Sequence, residues 1–447
     1  MPTDLFYACF SGKFDWNADG DDVYGERTDS IDMSPSIFVT RVPVRTVDDV
    51  NAFTSKLLAY EKTPKSNGWN NNILMAGNKL KKYYSSQSDA ERKGDSLFIN
   101  HIQPYWEDGM RVKFYDTYTD FPDSASYVLN QYHLQDQLSD GYTFLDMITH
   151  GAYFFWVLER GSYSSSHASS LINNGFTIIT TMACDTNAFD TVNDSVNYDP
   201  CLSEAFIRNA NSGVLAYLGC SRTGWYSTDS TKLGTSLEYE ALFYEDLFSS
   251  DIQEKNYGAV VAMAKAAMIN SCNLTDYPKA SDLYRWVQFG LNPIGDPEMP
   301  IFTTTPKDFS NSSIVCYEDS LTVHTGIAGC TVCVMSSDDN GNSYFQVKRE
   351  VENVTFHGTP SDVSICITKQ NYIPKVILAN LYIQNDTITE SRVFEANCIK
   401  VGTAVISSKP SGPVVFNGGT IQLKANSVVF EPETTIESGT ELIISNQ

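Results

Sequence analysis

No apolar run in the 447-residue sequence approaches the roughly 18 residues that a membrane-crossing helix needs, so no membrane span is expected. Basic clusters are missing as well. Only 31 Lys and Arg stand against 54 Asp and Glu, a formal net charge of −23, which leaves no positive surface for nucleic acid or anionic lipid. The opening residues Met1-Pro2-Thr3-Asp4 carry no signal-peptide pattern. Six histidines occur, none in H-E-x-x-H or another zinc-binding spacing. Ten cysteines are scattered, mostly inside apolar runs such as LFYACF and VLAYLGC, which excludes a small disulfide-stapled module. Cys330-Thr-Val-Cys333 has redox-motif spacing but lies in an extended apolar stretch rather than at a helix start, and reads as structural. A serine nucleophile is also missing, because Gly219-Cys-Ser-Arg-Thr-Gly224 lacks the G-x-S-x-G spacing of a nucleophile elbow.

What is present suits two or three domains with sizeable cores, at 42% hydrophobic and 12% aromatic residues. Up to about residue 304, apolar runs alternate with amphipathic stretches, the pattern of an α/β sheet covered by helices. Expected strands are Leu5–Phe10, Ile37–Thr40, Ile73–Ala76, Val112–Tyr115, Thr143–Thr149, Phe176–Met182 and Val214–Leu218. Expected helices start at Thr46, with Val50, Phe53, Leu57 and Leu58 on one face, and run over Ala125–Leu138, Leu202–Asn209, Leu237–Phe248 and Tyr257–Ile269. Beyond Thr303-Thr-Thr-Pro-Lys307 come short alternating β segments with turn signals, suggesting an immunoglobulin-like sandwich over 305–391. Glycine-punctuated segments over 392–447 suggest a small β tail.

Two of the apolar runs end in reactive side chains. Thr143–Thr149 runs straight into His150-Gly151, and Phe176–Met182 into Ala183-Cys184-Asp185. Open α/β sheets build their sites beyond the carboxyl ends of their strands, so an imidazole and a thiol would share one rim. An imidazole that takes the thiol proton makes a thiolate nucleophile, the minimum equipment for acyl transfer. Gly151 lacks a Cβ and lets the backbone approach a substrate carbonyl, so that the N–H groups of Gly151 and Cys184 could form an oxyanion hole. The alternative is a core cysteine and a strand-end histidine that never meet.

Around this pair the sequence resembles the gingipain-type cysteine peptidases of the caspase-like fold, over roughly residues 3–305. The resemblance is carried in order by Thr3-Asp-Leu-Phe-Tyr7, Phe38-Val-Thr-Arg-Val-Pro-Val44, Tyr60-Glu61, Thr149-His-Gly151, Ala183-Cys-Asp185, Cys201-Leu-Ser-Glu-Ala-Phe206, Ala216-Tyr-Leu-Gly219 and Gly295-Asp-Pro-Glu298. It implies a peptidase domain over 1–304, shortened at its start relative to the family, followed directly by an immunoglobulin-like domain. It makes His150 the general base and acid and Cys184 the nucleophile. Trp225 resembles the tryptophan that walls the primary specificity pocket, or is an ordinary half-buried aromatic. Asp89 resembles a pocket carboxylate that would select a basic P1 residue, or simply starts a helix. Asn78 stands where relatives place a glutamate that steadies the histidine, and an amide can also accept a bond from the ring.

Asp15-Trp-Asn17-Ala-Asp19-Gly20-Asp21-Asp-Val-Tyr-Gly-Glu26 fits the twelve-residue calcium loop at every required position. A structural Ca²⁺ held by Asp15, Asn17, Asp19, Asp21 and Glu26 is the expectation, and an acidic surface turn the alternative. The full expectation is a monomeric, secreted or surface-located bacterial cysteine endopeptidase acting on protein or peptide substrates, without an organic cofactor. A transpeptidase of an export system and an inactive surface-binding homologue are the competing readings.

Overall fold

The computed structural model describes residues 2–446 except 11–12, 63, 65–70, 85, 107–108, 122–127, 192–199, 211, 230–231, 250–254, 275–277, 317–319, 338–342, 359–362 and 408. The chain divides into two compact units, Met1–Pro306 and Lys307–Gln447.

The first unit is built on a six-stranded sheet of β1 (Asn72–Gly77), β2 (Met110–Tyr115), β3 (Phe144–Ile148), β4 (Thr177–Thr181), β5 (Val214–Cys220) and β6 (Leu291–Ile294), in the order β6-β5-β4-β3-β1-β2. All neighbours are parallel except β6, which runs antiparallel to β5. Every residue of β3, β4 and β5 is buried, as strands covered on both faces require. Helices α1 (Val47–Lys62), α2 (Asp89–Leu97), α3 (Gln131–Asp140), α4 (Leu202–Arg208), α5 (Thr235–Phe248), α6 (Tyr257–Ala267) and α7 (Pro278–Gly290) cover it. The expected helix at Ala125–Leu138 begins in part outside the described residues; of the described ones, 128–130 are not helical, and α3 starts at Gln131 after the cap Asn130, whose side chain accepts the Tyr132 and His133 N–H groups.

Two expected strands are not strands. Leu5–Ala8 is a helical turn: Leu5, Ala8 and Cys9 are buried at i, i+3, i+4 spacing, while Phe6, Tyr7 and Phe10 face out. Those buried residues join Trp16, Met33, Cys272 and Phe289 in a satellite core rather than the sheet. The Ile37–Thr40 run is irregular, and only the following Arg41 bridges to Ile294.

The second unit has two parts. An antiparallel sandwich pairs a three-stranded sheet of Ser313–Cys316, Ser320–His324 and Asn353–His357 with a four-stranded sheet. The latter comprises β7 (Cys330–Ser337), β8 (Ser343–Val351), β9 (Ser364–Thr368) and β10 (Lys375–Leu378) in the order β8-β7-β9-β10. Leu321, Val323 and Phe356 from one sheet share a core with Val332, Val334, Ile365 and Ile367 from the other. From Asn380 onward the chain winds as a three-sided parallel solenoid. Nine strands stack in three parallel sheets, with Ile383, Ile388, Ile399, Val401, Val414, Phe416, Ile421 and Leu423 filling the interior. The change of architecture therefore falls at Ala379, not at residue 392. The expected Lys375–Leu381 run is two strands, one belonging to the sandwich and one to the solenoid.

Candidate active site

β3 and β4 pair in parallel with Met147 opposite Thr181, an offset of 34 residues. The same offset separates His150 from Cys184, so the two residues leave the carboxyl ends of adjacent strands in matching register. The turns that carry them abut. A Cβ added to Gly151 would lie 2.7 Å from Thr186 Cγ2, 2.9 Å from Ala183 Cβ and 3.0 Å from the Cys184 carbonyl oxygen. Glycine is required here for close approach, since any side chain would drive the two strand ends apart.

The turn after Cys184 is pinned to the end of β5. The Asp185 N–H donates to the Arg222 carbonyl at 3.2 Å and the Asn187 N–H to the Cys220 carbonyl at 3.2 Å. Asp185 has φ +59°, a left-handed conformation that a non-glycine residue holds only where its surroundings impose it. Arg222 grips Asp190 with two bonds of 3.0 and 2.7 Å, closing the far side of the turn. Cys184 Sγ is half-buried, 3.8 Å from the Gly224 carbonyl oxygen. Burial raises the thiol above its ordinary value, and the Asp185 charge adds to the rise. The cysteine therefore rests as a neutral thiol that needs a base to ionise it.

His150 is exposed at the rim, and its Nε2 lies 2.7 Å from the Leu80 carbonyl oxygen. A carbonyl only accepts, so Nε2 is the donor, and in the neutral ring Nδ1 then keeps its lone pair. The ring bond thus falls on Leu80, while Asn78 reaches this region through its backbone, its N–H donating to the Ile148 carbonyl at 3.1 Å.

Asp89 sits in the first turn of α2, whose N-cap is Ser88, and is 4% exposed. Its carboxylate accepts N–H bonds from Leu80 at 2.8 Å, Lys81 at 2.9 Å and Lys82 at 3.0 Å. Burying an unpaired carboxylate costs several kcal/mol, and each hydrogen bond to a charged group returns about 1.5–3 kcal/mol. Three such bonds offset the burial and fix the 80–82 turn, the same turn whose Leu80 carbonyl holds His150.

Trp225 is 38% exposed on the loop beyond β5, one residue after the Gly224 that touches the Cys184 thiol. A Cβ at Gly224 would overlap the Met182 carbonyl, so this glycine lets the loop lie against the end of β4. Ser236 clamps Trp225 by accepting its N–H at 2.9 Å and donating its own N–H to the Trp225 carbonyl at 3.0 Å. Two participants escape sequence reasoning. Tyr226 stacks edge-on to the His150 ring at 6.2 Å between centroids, and only its place beside Trp225 hinted at it. Leu80 acts through a backbone carbonyl, for which residue type carries no signal.

Of the five expected calcium ligands, Asp19, Asp21 and Glu26 bring carboxylate oxygens within 4.8 Å of one another. Asp15 and Asn17 are engaged within the loop, Asp15 accepting the Asn17 N–H at 3.3 Å and Asn17 the Asp22 N–H at 3.0 Å. Gly20 takes φ +75° at the turn, as the loop pattern requires.

The first 302 residues match the family model described as Peptidase family C25. Among solved structures, the chain resembles the complex of Porphyromonas gingivalis RgpB pro- and mature domains, with a TM-score of 0.59 at 15% identity over 80% of this chain and 79% of that one. A second structure, described only as a protease, aligns with a TM-score of 0.57 at 18% identity over 84% of this chain and 77% of that one. At such identities these likenesses speak for the fold alone. A comparison with curated proteins gave no match. With the family model covering nearly the whole sheet-bearing unit, the chain belongs to peptidase family C25, the gingipain family of cysteine peptidases with a caspase-like fold.

Proposed function

We propose that this cysteine peptidase is a secreted endopeptidase that hydrolyses peptide bonds through Cys184 and His150. The observation that carries the reading is the shared offset of the two residues beyond β3 and β4, with Gly151 fitted against the Cys184 turn. Nδ1 of His150 takes the Cys184 proton as the sulfur attacks the scissile carbonyl, which supplies the ionisation that burial withholds from the thiol. N–H groups of Gly151 and Cys184 stabilise the developing oxyanion. The protonated ring then delivers its proton to the leaving amine, and water hydrolyses the thioester to release the acid and the free thiol.

A preference for basic P1 residues is the finer part of the proposal. It rests on Asp89, whose carboxylate has about four acceptor positions and spends three on the 80–82 turn, and on Trp225 as the pocket wall. Peptides varied only at P1 test it. Cleavage after Arg or Lys with free acid as the product is expected, whereas equal turnover after acidic and apolar residues contradicts the preference. Conjugates formed with an added amine would indicate transpeptidation instead.

For the loop at Asp19, Asp21 and Glu26, a structural Ca²⁺ remains the proposal. Carboxylates this close repel one another unless a cation bridges them. Calcium should raise the melting temperature of the chelator-treated protein, and Asp21→Asn should reduce that rise; an unchanged melting temperature removes the ion. The sandwich after residue 307 is proposed to be immunoglobulin-like, on its two antiparallel sheets and shared core.

A further inference from the structure

We propose that Cys333 and Cys366 form a cross-strand disulfide, a redox-sensitive modification site on the outer face of the four-stranded sheet in the second unit. They are direct partners in the antiparallel pairing of β7 with β9. Opposed residues in such a pair have Cα atoms roughly 4.5–5.5 Å apart, inside the window of about 4.4–6.8 Å that a disulfide spans.

Side-chain direction agrees with the spacing. Along β7, Cys330, Val332 and Val334 are buried in the shared core, so the alternate residue Cys333 projects outward. Along β9, Ile365 and Ile367 point inward, so Cys366 projects outward on the same face. Val347 and Val376 flank the two thiols across the sheet, opposite Cys333 and Cys366 respectively. Both cysteines are held as thiols and both are partly exposed, within reach of a small oxidant. The nearest cysteine in sequence is not a competitor. Cys330 lies on the opposite face, fully buried, with its thiol donating to the Ile327 carbonyl at 3.3 Å. The C-x-x-C spacing noted in the sequence therefore marks a strand with one inward and one outward thiol, and the outward one has its partner on the neighbouring strand.

The oxidant is a small-molecule disulfide. One protein thiolate attacks it, releasing one small thiol and leaving a mixed disulfide; the second protein thiolate displaces the second small thiol. Two protein thiols are oxidised to one S–S bond, one small disulfide is reduced to two thiols, and the two protein protons leave on those thiols. Burial raises the Cys333 thiol, so exchange quickens as pH rises. The bond closes the segment from β7 to β9 and constrains the unfolded chain, so the oxidised sandwich melts higher.

The full chain, equilibrated with glutathione disulfide and glutathione at graded ratios, alkylated and mapped by mass spectrometry, tests this. A linked Cys333–Cys366 peptide pair is expected, with a rise in the melting temperature of the second unit's transition. Cys366→Ser and Cys333→Ser should each leave the remaining thiol alkylatable and abolish the rise. Full alkylation of both cysteines at the most oxidising ratio, glutathione adducts without a cross-link, or Cys333 joined to any other cysteine would overturn the proposal.

Discussion

Asp89 shows how a single buried charge can steady a side chain it does not touch. Its carboxylate fixes the 80–82 turn, and that turn presents the Leu80 carbonyl to His150 Nε2. Asp89→Asn replaces one acceptor oxygen with a donor that faces backbone N–H groups, so the turn shifts and the imidazole loses its orientation. A misplacement on the 1 Å scale costs about 10²-fold in rate. We expect kcat to fall by that order for every P1 residue, with KM little changed for neutral P1 substrates. Stability should drop by about 1–3 kcal/mol. A loss confined to basic P1 substrates would place Asp89 in the pocket alone. The strand-end positions of His150 and Cys184 were legible in the sequence because each ends an apolar run, the mark of a buried strand. The histidine's partner was not legible. Asn78 was the side chain expected there, but the ring Nε2 bonds the Leu80 main-chain oxygen, which any side chain could have accompanied.

Among the elements, β3, β4 and α5 enclose a second set of acids beneath the rim. Asp146 on β3 and Glu240 on α5 are fully buried and close enough for each to feel the other's charge, and Thr180 donates to Asp146 at 2.9 Å. Thr180 also bonds the Tyr244 hydroxyl at 2.7 Å, and burial, with the Asp146 charge added, pushes the Tyr115 and Tyr244 hydroxyls up and keeps them neutral. Burial raises both carboxyls, and the Asp146 charge raises Glu240 further, so the pair keeps a proton at neutral pH. Folded carboxyls with raised pKa values bind protons more tightly than the unfolded chain does. Their contribution is whole below the ordinary carboxyl range near about 4, and it is lost as pH rises through the raised folded values. The melting temperature should therefore decline as pH rises above about 4 and through about 6, to which burial raises Asp146. Glu240→Gln keeps a donor toward Asp146 without a second charge and should flatten the slope; an equally steep slope in that variant would show that other groups cause it. Elements differed in how far the sequence revealed them. Apolar runs marked β1, β3, β4 and β5, whereas Leu5–Phe10 is as apolar and coils into a helical turn, because its buried positions recur at three and four. The solenoid stayed hidden because its stacked strands begin at uneven intervals, Asn380, Cys398 and Ser427 lying 18 and 29 residues apart.

At the scale of the molecule, the peptidase fold and the all-β character of the remainder were both readable, the first from ordered motifs and the second from turn-punctuated alternation. Alternation of period two does not distinguish an antiparallel sandwich strand from a solenoid rung, which is why the architecture changes at Ala379 without a signal in the sequence. Among the described residues no helix is long and apolar enough to cross a membrane. Membership of the family rests on the first unit, and so does the chemistry proposed for it. The most direct test is the hydrolysis of a peptide that the parent protein cleaves, measured with Cys184→Ala beside the parent and a folded-state control. Cleavage is expected to fall to the uncatalysed background, by at least about 10³-fold, while the melting curve is retained. Cleavage by Cys184→Ala at the parent rate would contradict the proposed chemistry.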